Sequence, residues 1–344
     1  MRVLSRRDFI RVAGLGAFGL SSIALAGCGQ QANASDGAAS KTQSLKTVRI
    51  GFTGDQGNVK LSYTPTIAYE KGILDAELEK AGYRAEYTGF PSGGPAINEA
   101  FAAKAIDIAQ YGDFAAITAA SKGIKLRAFT VADNAIGFAI LASDSSGVQS
   151  IADLKGKTVA FPFGTNIQRY FLLALKSAGL TVSDVNAVNA SGGDAPTMIA
   201  SGAADASVSV FSLIYEASKK TGHIIASSVD DPSLSSTIDY FASADYLEQN
   251  RDAAVAITRA LKQAWQYAKE NPSEARDLLA TIGVSRDEIQ AEFPDDAFPQ
   301  FDPQVDDDVV NKIKSVGQFM EENQLIKSSV DVDEMIDASI YQDA

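Results

Sequence analysis

Four short loops combine glycine with side chains that donate hydrogen bonds, and each follows a run of residues typical of a β-strand. Glycine lets a ligand approach the backbone closely, and free N–H groups at helix N-termini favour anions. Neutral hydroxyl and amide donors beside them suit a small oxyanion. The candidate ligand residues of these loops are Asn58; Ser92, Gly93 and Gly94; Gly164, Thr165 and Asn166; and Ser191, Gly192 and Gly193. Turns and helix caps use the same residue types, so only the four loops together favour a binding site.

Five further residues extend this candidate site. Gln168 and Arg169 lie just inside the helix predicted after the third loop, where they add a neutral donor and a charged fork. Gly112 and Asp113 end another strand, and Asp113 is equally suited to capping the next helix and to contacting a ligand amine. Phe211 is a candidate apolar wall, although most aromatic residues at strand ends belong to the core.

The residue types that enzymes and metal sites use are scarce. His223 is the only histidine and Cys28 the only cysteine, which excludes an intramolecular disulfide and cysteine-based metal binding. The chain after its first 27 residues has no glycine motif for nucleotides, and no serine-hydrolase motif is present. His223 begins a predicted strand, and we interpret it as structural. We therefore expect no catalytic residue, no metal and no cofactor.

The N-terminus has the features of an export signal. Ser5–Arg11 follows the twin-arginine pattern, and the apolar stretch Val12–Gly27 is shorter than the roughly 20 residues that span a bilayer. Leu25–Cys28 matches a lipobox, which predicts cleavage before Cys28 and lipidation of its thiol. Residues 1–27 are thus predicted to be a twin-arginine lipoprotein signal peptide, and residues 28–46, which are polar and small, a flexible tether.

The part that follows the leader is strongly acidic. The chain carries a net charge of −13, and the leader holds four arginines against one aspartate, so the remainder carries −16. Nucleic acid phosphates would repel such a surface, and we expect no nucleic acid partner.

Short β-like runs alternate with helical patterns along the rest of the chain, which predicts an α/β fold with mostly parallel sheets flanked by helices. Gly72, Gly123, Gly179 and Gly222 are predicted to end helices. The predicted strands are Thr47–Gly51, Arg84–Thr88, Asp107–Tyr111, Leu126–Val131, Lys157–Phe161, Asp184–Val188 and Asp205–Val210. Later helices are predicted at Asn250–Asn271, where Ala254, Ile257, Leu261, Ala264 and Trp265 form an apolar stripe, and near Arg286–Glu292 and Pro303–Asn323.

A faint internal repeat divides the chain into two lobes. Ser92-Gly93-Gly94 recurs as Ser191-Gly192-Gly193, and each tripeptide precedes a helical segment and then a strand. Residues 132–141 are predicted to cross to the second lobe and residues 238–244 to return. The predicted first lobe is therefore 47–135 plus 245–344, with the C-terminal helices packed on it, and the second is 136–244.

Several segments, in order, resemble the substrate-binding proteins of ABC importers of the aliphatic-sulfonate, nitrate and taurine type. They are Thr47–Gly51, Glu70–Leu74, Phe90–Pro95, Asp107–Asp113 and Ile151–Val159 leading to Gly164-Thr165. The resemblance implies a periplasmic-binding-protein type II fold, whose two lobes close on a small anionic ligand like a Venus flytrap. It also implies delivery to a membrane permease served by a cytoplasmic ATPase, and Ser92–Pro95, Gly112-Asp113 and Gly164–Asn166 as lining residues. We expect a monomer, held by its lipid on the extracytoplasmic face of the cell membrane.

One departure from this resemblance affects the ligand. Many relatives have a Trp, an acidic residue and a Pro after the last parallel strand of the second lobe, where this chain has Val210-Phe211-Ser212-Leu213. Without that carboxylate an amino group is recognised less well, which favours an unsubstituted sulfonate over taurine. Two alternatives remain: an enzyme on the same fold that makes a pyrimidine precursor with an active-site histidine, and a sensor subunit that presents its ligand to a receptor.

Overall fold

The computed structural model describes residues 44–344, with gaps at 230, 282 and 293–301. The predicted leader, Cys28 and the tether up to residue 43 lie outside the described residues. The strands within them are β1 (Lys46–Thr53), β2 (Tyr83–Phe90), β3 (Ile108–Gly112), β4 (Leu126–Ile136), β5 (Phe138–Ser143), β6 (Thr158–Phe161), β7 (Asn186–Asn189), β8 (Ala206–Val210), β9 (Gly222–Ser227) and β10 (Ser236–Ser243).

Helices connect and cover these strands. They are α1 (Tyr63–Glu70), α2 (Ile73–Lys80), α3 (Gly94–Ala102), α4 (Asp113–Ser121), α5 (Asn166–Ser177), α6 (Asp194–Ala200), α7 (Phe211–Thr221), α8 (Ala244–Gln249), α9 (Arg251–Glu270), α10 (Pro272–Thr281), α11 (Arg286–Glu292), α12 (Asp307–Glu322) and α13 (Ser339–Asp343). None of the helices in the described part is both long and apolar enough to span a membrane.

The strands form two five-stranded sheets with equivalent orders, β2-β1-β3-β10-β4 and β7-β6-β8-β5-β9. In the first sheet β10 runs antiparallel to both its neighbours, and in the second β5 does the same. The other four strands of each sheet share one direction, so the sheets are mostly parallel, as predicted. The matching orders support the internal repeat, and the predicted two-lobed α/β fold is confirmed.

Burial on both faces explains why so many strands are apolar throughout. Four consecutive residues of β3, Ile108–Tyr111, are buried, because helices cover both sides of the sheet. In the first lobe α9 packs on α1 and α2 through the predicted stripe, whose Ala254, Ile257, Leu261 and Ala264 are fully buried. Small alanine side chains let these helices approach closely. Trp265, which the pattern also placed in the stripe, is only half-buried.

The chain passes between the lobes twice. It crosses at Gly137, between β4 and β5, within the predicted crossing region. It returns between β9 and β10, where the structure describes residues 228–229 and 231–235, which we call the returning segment, earlier than the predicted 238–244. The residues predicted to return instead form β10, whose Tyr240, Phe241 and Ala242 are fully buried between β3 and β4. Strand pairing of this kind involves partners more than 100 residues away, which a local pattern does not reveal.

Three of the four predicted helix-ending glycines have the left-handed backbone that such positions require: φ is +67° at Gly72, +87° at Gly123 and +72° at Gly179. Gly222 differs, because its φ of 169° is extended and α7 runs directly into β9. A Cβ atom there would lie 2.1 Å from the carbonyl oxygen of Ala142 on β5. Glycine at this position therefore permits strand pairing.

Candidate functional site

Loops from the two lobes meet at the N-terminus of α3. A Cβ atom on Gly94 would lie 3.8 Å from the carbonyl oxygen of Gly164, and one on Gly164 would lie 3.3 Å from Cγ of Pro95. Gly93 and Gly164 both have left-handed backbones, with φ of +66° and +72°. The second and third predicted loops are therefore brought together across the lobes, with glycine on both sides of the contact.

A second contact joins the N-termini of α4 and α5. Asn166 donates from Nδ2 to Asp113 Oδ1 over 2.8 Å and to the carbonyl oxygen of Thr237 over 3.3 Å. Its Oδ1 accepts from the backbone N–H of Phe114 over 3.2 Å. Asp113 and Asn166 are both buried, and Asp113 also accepts from the Thr237 hydroxyl. Asp113 also accepts from the N–H of Phe114 in its own helix over 2.6 Å, and it thereby fastens the second lobe to the start of α4.

Helix N-termini supply the positive potential at the first contact. The residues that precede α3 and α5, Gly93 and Thr165, make no side-chain hydrogen bond to the backbone of their helix. Val210 before α7 makes no such bond either, but there the first N–H of the helix, that of Phe211, already donates to the carbonyl of Gly137 over 2.8 Å. The first N–H groups of an uncapped helix need a partner, and the helix dipole makes an anion the favoured one. The site is thus suited to a small oxyanion.

Several predicted donors hold their own loops. Gln168 accepts from the N–H of Gly164 over 2.7 Å, and the Thr165 hydroxyl donates to the carbonyl of Pro162 over 2.9 Å. Ser191 accepts from the N–H of Asp194 over 3.1 Å at the start of α6, and Gly192 accepts from Ser209 over 2.8 Å. These side chains act first in turn and cap formation, the alternative that the sequence left open.

The remaining predicted residues divide by exposure. Asn58, Ser92 and Gly193 are exposed. Phe211 is buried and stacks on Tyr215, with ring centroids 5.7 Å apart. A Cβ on Gly137 would lie 3.1 Å from the Cβ of Phe211, so this ring packs beside the crossing point. Arg169 is buried and donates to the carbonyl of Ser235 over 3.2 Å, toward the returning segment.

Buried acidic residues near the crossing were missed at the level of sequence. Glu292 accepts from the Tyr63 hydroxyl and, over 3.1 Å, from the N–H of Gly137. Burial raises the pKa of Glu292 to about 7 and that of Asp133 to about 6. The sequence signal that could have revealed such residues is an acidic side chain within an apolar run, such as Asp239 in β10. Such a residue is nevertheless ambiguous until its partners are known.

Asp239 lies next to Asp113 in the same network. The Thr237 hydroxyl is 2.7 Å from Asp239 Oδ2 and 3.1 Å from Asp113 Oδ2, and its single hydrogen serves one of them. Burial, and then the nearby Asp113 carboxylate, raise the pKa of Asp239 well above its ordinary value. Two fully buried carboxylates this close repel each other, which is the second physical cause of the raised pKa.

Known proteins share both sequence and fold with this chain. A family model described as NMT1/THI5 like matches residues 136–275. A Bacillus subtilis (strain 168) protein, provisionally named an aliphatic sulfonates-binding protein, is 26% identical over 326 residues, or 93% of each chain. The alkanesulfonate-binding protein SsuA from Xanthomonas axonopodis pv. citri, solved bound to MOPS, superposes with a TM-score of 0.71 at 19% identity, covering 84% of this chain and 97% of SsuA.

Over most of its length this chain is similar to proteins named for binding aliphatic sulfonates. The family resemblance drawn from the ordered sequence segments is confirmed by these findings, and its sequence relatives are named as binding proteins rather than enzymes. The fold itself also carries catalysis, because the desulfurization enzyme DSZB superposes with a TM-score of 0.65 at 18% identity, covering 86% of this chain and 98% of that one. The choice between the two therefore depends on side chains.

The side chains of this protein do not support the enzyme alternative. His223 lies at the start of β9 and pairs with Ala142 at the end of β5, whereas the crossing point adjoins the opposite end of β5. Its ring nitrogens are 3.0 Å from Asp144 Oδ1 and 3.0 Å from the carbonyl oxygen of Val148. Within the described ranges no group of His, Cys, Asp and Glu side chains is placed to hold a metal ion.

Replacing His223 with Ala should leave ligand affinity unchanged and lower the free energy of unfolding by about 1 kcal/mol, because two local hydrogen bonds are lost. Isothermal titration with the best ligand and urea unfolding measure the two effects. An affinity loss above threefold in a folded H223A protein would show that His223 acts at the site.

Proposed function

We propose that this protein is the solute-binding lipoprotein of an ABC importer and that it captures a small anion, an aliphatic sulfonate, between its lobes for delivery to the permease. The observation that carries this proposal is the meeting of α3 and α5, two helices of opposite lobes whose N-termini have no side-chain cap. An anion held there is bound by both lobes at once and favours their closure. The sulfonate-binding names of the sequence relatives support the ligand class.

The described groups around this contact favour an unsubstituted sulfonate over taurine. An ammonium group needs a carboxylate, and Phe211-Ser212 stands where many relatives supply one. Asp113 does not replace it, because its oxygens already accept from Phe114, Asn166 and Thr237. Nitrate fits the same helix N-termini but lacks an alkyl chain that would bury apolar surface. We expect the order of affinity to be alkanesulfonate, then taurine and nitrate.

A thermal-shift screen tests this ligand class. Ethanesulfonate, taurine, nitrate and chloride are compared at equal ionic strength, and calorimetry then measures the affinity of each ligand that raises the Tm. A ligand that binds only the folded state stabilises by about 2.7 kcal/mol at 100 times its Kd, which gives a shift of several degrees. Equal Tm values in all four salts would overturn the proposed ligand class.

Anchoring at Cys28 is also part of the proposal, together with the leader at 1–27 and a tether that ends before β1 begins at Lys46, one residue earlier than predicted. Replacing Cys28 with Ser should move the protein from the membrane fraction to the soluble extracytoplasmic fraction or the medium, because a serine hydroxyl is not lipidated at a lipobox. Fractionation followed by ligand titration measures both location and binding. In the matched variant R6K/R7K the protein should instead remain inside the cell. Loss of binding in purified C28S protein would contradict a purely localising role.

A further inference from the structure

A cavity of about 90 Å³, lined mostly by residues with polar or charged side chains, lies where the two lobes and the returning segment come together. Its lining includes Asp113 of α4, Arg169 of α5, Ser233 and Ser235 of the returning segment, and Lys312 and Ser315 of α12. Arg169 and Asp113 are buried, whereas Ser233 and Ser315 are exposed. The cavity therefore extends from exposed serines to a buried charged interior.

The interior holds a guanidinium with an unused donor. Arg169 is 7% exposed and its Nη1 donates to the carbonyl of Ser235 over 3.2 Å. Its buried Nε has no hydrogen-bond partner within the part of the chain that the structure describes. A buried donor on a charged group is costly to leave unpaired, and Arg is the side chain best matched to oxyanions.

Two cations and one carboxylate line the cavity. Lys312 adds a second cation, whose Nζ lies 3.1 Å from the carbonyl of Asn134 and 3.1 Å from the largely exposed Asp308. Asp113 contributes the opposing carboxylate, but three donors from Phe114, Asn166 and Thr237 already stabilise its charge. Arg169 and Lys312 place two cations against this one lining carboxylate. The hydroxyls of Ser233 and Ser315 already donate to Asp231 and to the carbonyl of Lys312, so the two cations are the groups that would hold an anion.

We propose that this cavity binds a small inorganic oxyanion, such as sulfate, between Arg169 and Lys312. The cavity volume of about 90 Å³ is several times the roughly 10–15 Å³ that one water molecule needs, and so leaves room for a small anion. Asp113 and Arg169 were candidates for the ligand site, but neither Gly93 nor Thr165, which precede α3 and α5, lines the cavity. The proposed anion therefore lies apart from the contact proposed to hold the sulfonate. An anion bound here contacts α5 of the second lobe and α12 of the first, and so ties the lobes together behind the ligand.

Calorimetric titration of sulfate into the purified protein, with chloride holding the ionic strength constant, tests the site. Wild type should bind one sulfate per chain, and K312Q should bind it roughly tenfold more weakly or worse, because one charged hydrogen bond is lost. The matched control is K314Q on the same helix, since Lys314 pairs with Asp333 and does not line the cavity. Its affinity should stay within twofold of wild type.

A second variant and a competition experiment complete the test. R169Q, checked for folding by circular dichroism, should also lose sulfate binding. Sulfate should still bind when ethanesulfonate saturates the protein, whereas competition would place sulfate in the proposed sulfonate site and overturn the second site. Absence of saturable sulfate binding, or equal weakening in K312Q and K314Q, would also overturn it. If the protein does not bind ethanesulfonate but binds sulfate in a manner that depends on Lys312, only the proposed function is refuted and the second site stands.

Discussion

Replacing Gly112 with Ala should weaken ligand binding by roughly 30- to 150-fold. The backbone of Gly112, with φ of −76° and ψ of 148°, suits alanine, so the effect comes from contact alone. The new Cβ would lie 2.5 Å from Asn166 Oδ1 and 2.7 Å from Cγ, and would displace the buried side chain whose hydrogen bonds join the lobes. Losing two or three such bonds costs roughly 2–3 kcal/mol of lobe closure. Titration gives the affinity, and small-angle scattering gives the ligand-induced compaction.

Two further variants separate a closure defect from lost ligand contact. N166A removes the same hydrogen bonds without adding bulk, and in G112A/N166A the clash disappears. The double variant should therefore bind no worse than N166A. G317A is the matched control. Gly317 lies within α12, and a Cβ atom there would be 3.5 Å from Cγ2 of Val332, an ordinary van der Waals distance. If the losses of binding free energy in G112A and N166A instead added fully in the double variant, Gly112 would act on the ligand itself.

Stability should fall as the pH rises from 5 to 7, and Glu292 should account for much of the change. Burial raises its pKa from 4.5 to about 7, so between these values the folded protein holds a proton that the unfolded chain has released. Where the folded state binds more protons, the free energy of unfolding decreases with increasing pH. The pKa shift corresponds to roughly 3 kcal/mol in the free energy of unfolding. This contribution is fully present below pH 4.5 and is lost as the pH rises through 7. Urea unfolding at intervals of pH measures it.

E292Q should flatten this dependence, because an amide does not titrate. Its stability should also exceed that of wild type most clearly at pH 8, provided that the amide oxygen still accepts from Tyr63 or Gly137. D287N on the same helix α11 is the control, since Asp287 is exposed and its substitution should leave the pH slope unchanged. Equal slopes in wild type and E292Q would show that the Glu292 carboxyl does not hold a proton near neutral pH.

The sequence predicted most elements within a few residues, because hydrophobic periodicity and glycine positions act locally. The helix Arg286–Glu292 has its predicted bounds, and the predicted strand Asp205–Val210 differs from β8 by one residue. β10 was misassigned, because Ile238–Ala244 is equally compatible with a connection and with a strand. Its place in the sheet depends on pairing with β3 and β4.

The candidate site shows the same division. Loop composition alone indicated the glycine-rich helix starts, because glycine at a tight approach and polar residues at a cap are local requirements. Which donors remain for a ligand depended on partners far along the chain. Gln168 holds its own loop, while Asn166 joins Asp113 across a sequence separation of 53 and Arg169 reaches Ser235 across one of 66.

By itself, the sequence determined that this is an α/β chain of two similar lobes with an acidic body, few residues for catalysis, and loops suited to a small anion. Each of these properties follows from composition or from short-range pattern. Only the tertiary structure decided that α3 and α5 present uncapped N-termini to each other, that Glu292 supports the crossing at Gly137 over 155 positions, and that Arg169 and Lys312 share a cavity. Burial and partnership set the charge state and the free donors of these groups, and both are properties of the packed molecule.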